Sequence, residues 1–135
     1  MACWLVKSEP GSYGIDDLKR DKKSEWTGVR NYAARNFLRA MKKNDVVLFY
    51  HSGAQPGVVG CATVTKAAYA DPTAEAGDWS AVELTFKAKY PNIVSLSAIK
   101  STKALSEIAL IKQSRLSVMP MTDEEFKSIE SLDKR

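Results

Sequence analysis

A lone histidine sets the first limit on the chemistry open to this 135-residue chain. Nucleophilic catalysis needs a serine or cysteine beside a base that an acid orients, so any such triad must use His51. Ser52 follows it directly, but neighbours on a strand point to opposite faces, and no G-x-S-x-G elbow occurs. A catalytic zinc takes about three protein ligands, whereas Cys3 and Cys61 are far apart and in no ligand spacing. The sequence also lacks D-x-D, EF-hand, Walker and Rossmann patterns. No catalytic residue, metal or cofactor is expected.

What recurs instead is polar and aromatic residues at the ends of candidate strands: Lys7-Ser8-Glu9, Trp26-Thr27, Arg30-Asn31, Tyr50-His51-Ser52, then Tyr69 and Asp71. Loops at strand ends are where a rigid scaffold displays binding groups. A flipped base asks for such a set, because its faces are apolar and its edge carries donors and acceptors that must be paired once water leaves. Stacking on an aromatic ring supplies on the order of 1–3 kcal/mol per base. Each residue also has a plainer reading. Trp4, inside an apolar strand, is core, Trp26 is wall or core, His51 is a satisfied structural histidine, and Arg30, Arg35 and Arg39 are a solvated helix face. Only the combination points to a site.

The elements that must position these residues follow from the pattern. Residues 3–7 read as an apolar strand broken by Pro10-Gly11, and residues 12–20 as a short helix with Asp16 and Asp17 near its positive end. Residues 21–25 read as a charged exposed loop. From about Val29, residues 26–41 (WTGVRNYAARNFLRAM) keep helical spacing of apolar positions, with Arg35 and Arg39 on another face. Residues 46–51 and 57–64 are strands, the second with Gly60 marking a bulge or a close backbone approach. Residues 69–77 form a loop, and residues 80–89 alternate as a half-exposed strand. Helical turns are expected at 95–100 and 105–111, a strand at 116–119 ending before Pro120, and a last helix through Leu132 opened by a Thr122–Glu125 capping box. About five strands with short helices and no regular βαβ alternation predict a single α+β domain around a curled sheet or small barrel.

Composition agrees: 44% hydrophobic and 27% charged residues suit a globular domain that buries roughly two-thirds of its surface. Two isolated cysteines predict free thiols in a reducing compartment. The apolar stretch near the N-terminus is too short for a signal peptide, and no run approaches the roughly 18 apolar residues of a membrane span. A cytoplasmic location is expected, nuclear for a eukaryotic source, without membrane association. The net charge of +4 favours phosphate backbones without proving a nucleic-acid partner.

The same segments resemble the EVE domain family. The matching pieces are WLVKSEP at 4–10, IDDL at 15–18, W-x-GVRNYAARNFLRAM at 26–41, VLFYHS at 47–52, PGVVG at 56–60, AYADPT at 68–73 and SRLSVMP at 114–120, in the family's order and across nearly the whole chain. The resemblance implies one domain over residues 1–135 with a PUA-like fold, a curled five- to six-stranded barrel-like sheet flanked by short helices, related to ASCH and YTH domains. It implies a non-catalytic reader of a modified base, a modified cytosine in DNA. A modified-RNA reader, or an enzyme on a nucleotide or small aromatic ligand, stand as alternatives. Carried over by position, the base pocket comprises Lys7, Ser8, Trp26, Thr27, Val29, Arg30, Asn31, Tyr50, His51, Ser52, Tyr69 and Asp71, with Arg35 and Arg39 as phosphate contacts that position without reading sequence. Thr27 stands where the family usually has an acidic residue, and Asn44 stands for the usual glycine before Asp45. The 74–78 loop is shorter than usual.

Overall fold

Cys3, Trp4, Leu5 and Val6 are apolar at every position because β1 (Cys3–Ser8) runs through the middle of a sheet. It lies between β3 (Val46–His51), parallel to it, and β6 (Val118–Met121), antiparallel. The computed structural model describes residues 2–113 and 115–133; Ser114, the first residue of the SRLSVMP piece, lies outside them.

A parallel pair needs a crossover. Here it is α1 (Ile15–Asp21), β2 (Lys23–Trp26) and α2 (Tyr32–Ala40). Then β4 (Gly57–Ala70) and β5 (Ser80–Ser95) form a long hairpin, and the sheet order is β2-β5-β4-β3-β1-β6. After it come α3 (Leu96–Ser101), α4 (Ala109–Lys112) and α5 (Asp123–Asp133). The architecture is α+β, as expected. The sheet, expected to curl or close, is a mixed six-stranded one that bends at register irregularities along β4 but does not close.

Several local readings change: β4 and β5, read as ending at 64 and 89, pair with each other on to Ala70 and Ser95, which puts Tyr69 on a strand instead of a loop. Residues 21–25, read as a loop, contain most of β2, whose Lys-Ser-Glu sequence has little strand propensity and forms a strand because β5 offers it an edge. The helix begins at Tyr32 instead of Val29, since the Asn31 side chain accepts the Ala34 N–H at 2.9 Å and caps it there. Pro120 belongs to β6, an edge strand, where a missing N–H is tolerated. The capping box forms as read: Thr122 N–H donates to Glu125 Oε1 at 2.8 Å and Glu125 N–H to Thr122 Oγ1 at 3.1 Å.

Trp4 is core, and its Nε1 donates to the buried Asp45 Oδ2 at 2.9 Å. Asn44 before it holds φ at 80°, a left-handed conformation that asparagine tolerates. No helix among the described residues is long and apolar enough to cross a membrane.

Gly60 is where two backbones meet. A Cβ there would stand 2.3 Å from the Ala88 carbonyl oxygen and 3.0 Å from Ile15 Cδ1. Gly60→Ala is expected to destabilise the fold by about 1–3 kcal/mol, read from the urea midpoint, because the β4–β5 pairing or α1 must give way.

Candidate functional site

Two strand ends frame the main cavity. Lys7 and Ser8 close β1, paired in register with Tyr50 and His51, while Trp26 closes β2 opposite Val82. Since β5, β4 and β3 lie between those strands, one cavity touches both only because the hairpin bends. The cavity holds about 510 Å³, within the usual range for small-ligand sites.

Half of the expected pocket residues line it: Lys7, Ser8, Trp26, Thr27, Val29 and Arg30. The Trp26 indole is half-buried and meets the fully buried Phe49 ring edge-on, centroids 5.5 Å apart, so the core fixes its orientation from behind. Ser8 Oγ donates to the Tyr13 carbonyl, which leaves its lone pairs for a donor. Burial pushes the Lys7 ammonium pKa down, and its Nζ lies 5.9 Å from the Tyr50 ring centre.

Glu9, Tyr13, Ser24, Glu25, Gly28 and Ser117 also line the cavity and were not among the expected residues. Glu9 completes the polar triplet at the end of β1, a signal already visible in sequence. Glu25 and Ser24 were hidden in the supposed loop, where strand alternation was too polar to notice. Although Thr27 is uncharged, Glu9 and Glu25 put two acidic residues in the lining, along with the basic Lys7 and Arg30.

The remaining expected residues do not line it. Asp71 sits behind the rim with a fully buried side chain. It accepts from the Gly28 N–H and Arg30 Nη1, both at 2.9 Å, and from the Thr73 N–H and Oγ1, both at 2.7 Å. Burial alone would raise its pKa, but the bonds from Thr73, Arg30 and Gly28 outweigh that and hold the carboxyl far below the usual range. Asp71 therefore positions the Arg30 side chain and the Gly28 backbone. Asn31 caps α2. Tyr50 is buried beneath Lys7. His51 Nε2 accepts the Ile15 N–H at 3.0 Å, a structural role at the start of α1. Ser52 Oγ donates at 3.4 Å to the Ser8 carbonyl and to Glu9 Oε2. Tyr69 donates to Glu25 Oε1 at 3.0 Å, and burial with that carboxylate pushes its phenol pKa up to about 12. These residues surround the lining instead of forming it.

Arg35 and Arg39 reach the β4–β5 connection. Arg35 Nη1 donates to the Asp78 carbonyl at 3.1 Å, and Arg39 donates to Ser80 Oγ at 2.8 Å and to Asp78 Oδ1 at 2.6 Å. Among the described residues, no group of three His, Cys, Asp or Glu gathers to hold a metal ion.

The EVE domain family model matches residues 2–132. Thymocyte nuclear protein 1 of Mus musculus is 40% identical over 164 aligned positions, which take in 96% of this chain and 73% of that protein. Human THYN1 protein, solved in complex with 5-methylcytosine-containing DNA, superposes with a TM-score of 0.91 at 34% identity, covering 100% of this chain and 99% of that one. The Mmi1 YTH domain, solved with RNA, gives a TM-score of 0.61 at 12% identity over 98% of this chain and 77% of that one, a likeness of fold alone.

Two measurements check these roles. Burial lowers the His51 pKa below its ordinary 6.5, so the neutral ring is the folded form; its contribution is present above pH 6.5 and lost as pH falls through the folded value. His51→Gln, which can still accept the Ile15 N–H, is expected to flatten the loss of stability in that window in urea titrations. Asp71→Ala is expected to cost about 1–3 kcal/mol at neutral pH by the same assay, because it strips acceptors from Gly28, Thr73 and Arg30 together.

Proposed function

The chain belongs to the EVE domain family, and from that membership and the cavity at Trp26 we propose that it is a non-catalytic module that takes one modified cytosine of DNA into this cavity. The observation that carries the reading is the pairing of a fixed aromatic face with an edge of mixed polarity. Phe49 holds the Trp26 ring in place as a stacking surface. The same lining carries the acidic residues Glu9 and Glu25 and the basic residues Lys7 and Arg30.

Cytosine asks for both. Its exocyclic amine donates and suits a carboxylate, while its ring nitrogen and carbonyl oxygen accept. A methyl or similar group on the ring is apolar and suits the buried Val29, which lines the same cavity. Thymocyte nuclear protein 1 in its methylcytosine-DNA complex supports DNA as the partner. Binding of this kind needs no proton transfer and no covalent step, so perturbed groups such as Lys7 serve recognition.

The test is binding of short oligonucleotides carrying cytosine, methylcytosine, hydroxymethylcytosine or methyladenine, in DNA and RNA forms, at two salt concentrations. A modified cytosine in DNA is expected to bind most tightly, and Trp26→Ala to weaken it on the order of tenfold or more while Trp26→Phe keeps most of the affinity. Affinity that ignores the modification and disappears with added salt would reduce the protein to a basic surface. Tighter binding of the RNA forms would move the reading to a modified-RNA module.

A further inference from the structure

Outside the cavity, an aromatic pair stands at the protein surface. Tyr32, the first residue of α2, stacks on Trp79 with ring centres 5.1 Å apart and planes 20° from parallel. Tyr32 is 67% exposed, and with Ile93 it makes up the large exposed hydrophobic residues among those described. Its ring is fixed from one side only. Trp79 is half-buried and held in turn by the chain at Gly77, where φ is 91° and a Cβ would fall 2.7 Å from the Trp79 Nε1.

The arginines around this pair leave its outer face open. The Arg35 guanidinium carbon is 5.0 Å from the Tyr32 ring centre and 5.9 Å from that of Trp79. With 5.1 Å between the rings, the three centres form a nearly equilateral triangle, so Arg35 flanks the stack. Had it capped the far side of Tyr32, its distance to Trp79 would approach the sum of the other two. The face of Tyr32 turned away from Trp79 is therefore uncovered. A latch between α2 and the 71–79 connection does not require that exposure, since Arg35 and Arg39 already tie α2 to Asp78 and Ser80.

The surroundings select the occupant. Arg30 lines the cavity and also lies 5.6 Å from the Trp79 ring centre, so the stack adjoins the cavity through this residue. Arg35 has no carboxylate ion pair among the described residues, which leaves positive charge beside an open aromatic face. An aromatic face flanked by guanidinium groups fits a nucleobase with its phosphate.

We propose that Tyr32 is a second stacking platform, which holds a base adjacent to the one in the Trp26 cavity on the same DNA strand. The platform rests on the base-holding reading above and adds to it a contact with a neighbouring nucleotide. By stacking, it holds the strand on one side of the extruded base without reading sequence, because every base has a face to offer.

The experiment compares wild type, Tyr32→Ala and Tyr32→Phe on DNA strands carrying a central methylcytosine. The strands have both neighbours intact, an abasic site on the 5′ side, or an abasic site on the 3′ side, with unmodified strands as reference. On the intact strand Tyr32→Ala is expected to lose on the order of tenfold in affinity and Tyr32→Phe little. One abasic strand is expected to weaken wild type by a similar factor, and on that strand Tyr32→Ala should cause no further loss. Equal binding by Tyr32→Ala and wild type overturns the platform, as does a loss that stays the same on every strand, which marks a purely structural role. If wild type itself ignores methylation, the base-holding reading fails and the platform falls with it. Methylation preference beside an inert Tyr32→Ala sinks the platform alone.

Discussion

The Asp71 carboxylate gathers donors from both sides of the site, and most of the rim depends on that gathering. Gly28 and Arg30 come from the segment after β2, Thr73 from the connection after β4, and the Asp71 N–H closes the same connection by donating to the Trp79 carbonyl at 3.0 Å. A buried carboxylate is costly without partners, and hydrogen bonds to charged groups are worth about 1.5–3 kcal/mol each. The two segments are thus coupled through one carboxylate. Arg30, aimed by Asp71, contributes to the cavity on one side and to the Trp79 stack on the other.

A second constraint lies deeper. Strands β1 and β2 bring the two halves of the cavity from separate places in the sheet, and only a bent hairpin lets them converge. The absence of a side chain at Gly60 permits that bend, because β5 and α1 both press on this point. Packing at the bend, Phe49 behind Trp26, and Asp71 behind Arg30 work in series. Each fixes the one residue in front of it, so the surface presented to a ligand is organised before any ligand arrives.

Much of this was legible in the sequence, and the failures share a cause. Apolar runs such as residues 46–51 and the Thr122–Glu125 box announced their structures locally, since burial on both faces or a reciprocal cap leaves a residue pattern. β2 left none: its Lys-Ser-Glu run is strand only because β5 lies beside it, and pairing across nearly 60 residues has no local signature. The site divides the same way. Lys7, Ser8, Trp26 and Arg30 were readable as polar or aromatic residues at strand ends. Asp71, His51 and Asn31 have the same chemistry, but they bond to the chain's own backbone, and a sequence does not show which donor a polar group has already met. Tyr32 and Trp79 escaped notice because residues so far apart become a pair only through α2 and the hairpin end.

The indole at the centre of the site is carried by a strand of four residues that pairs on one side alone. Short edge strands open locally at much lower free energy than the core they adjoin, without the rest of the protein unfolding. Trp26 is anchored to the most rigid part of the molecule through Phe49 and to one of its least protected parts through its own backbone. A flat group held against the indole therefore also ties down the β2 edge. Occupancy would then be recorded as slower amide exchange along Lys23–Trp26, so that binding adds directly to the local stability of this strand.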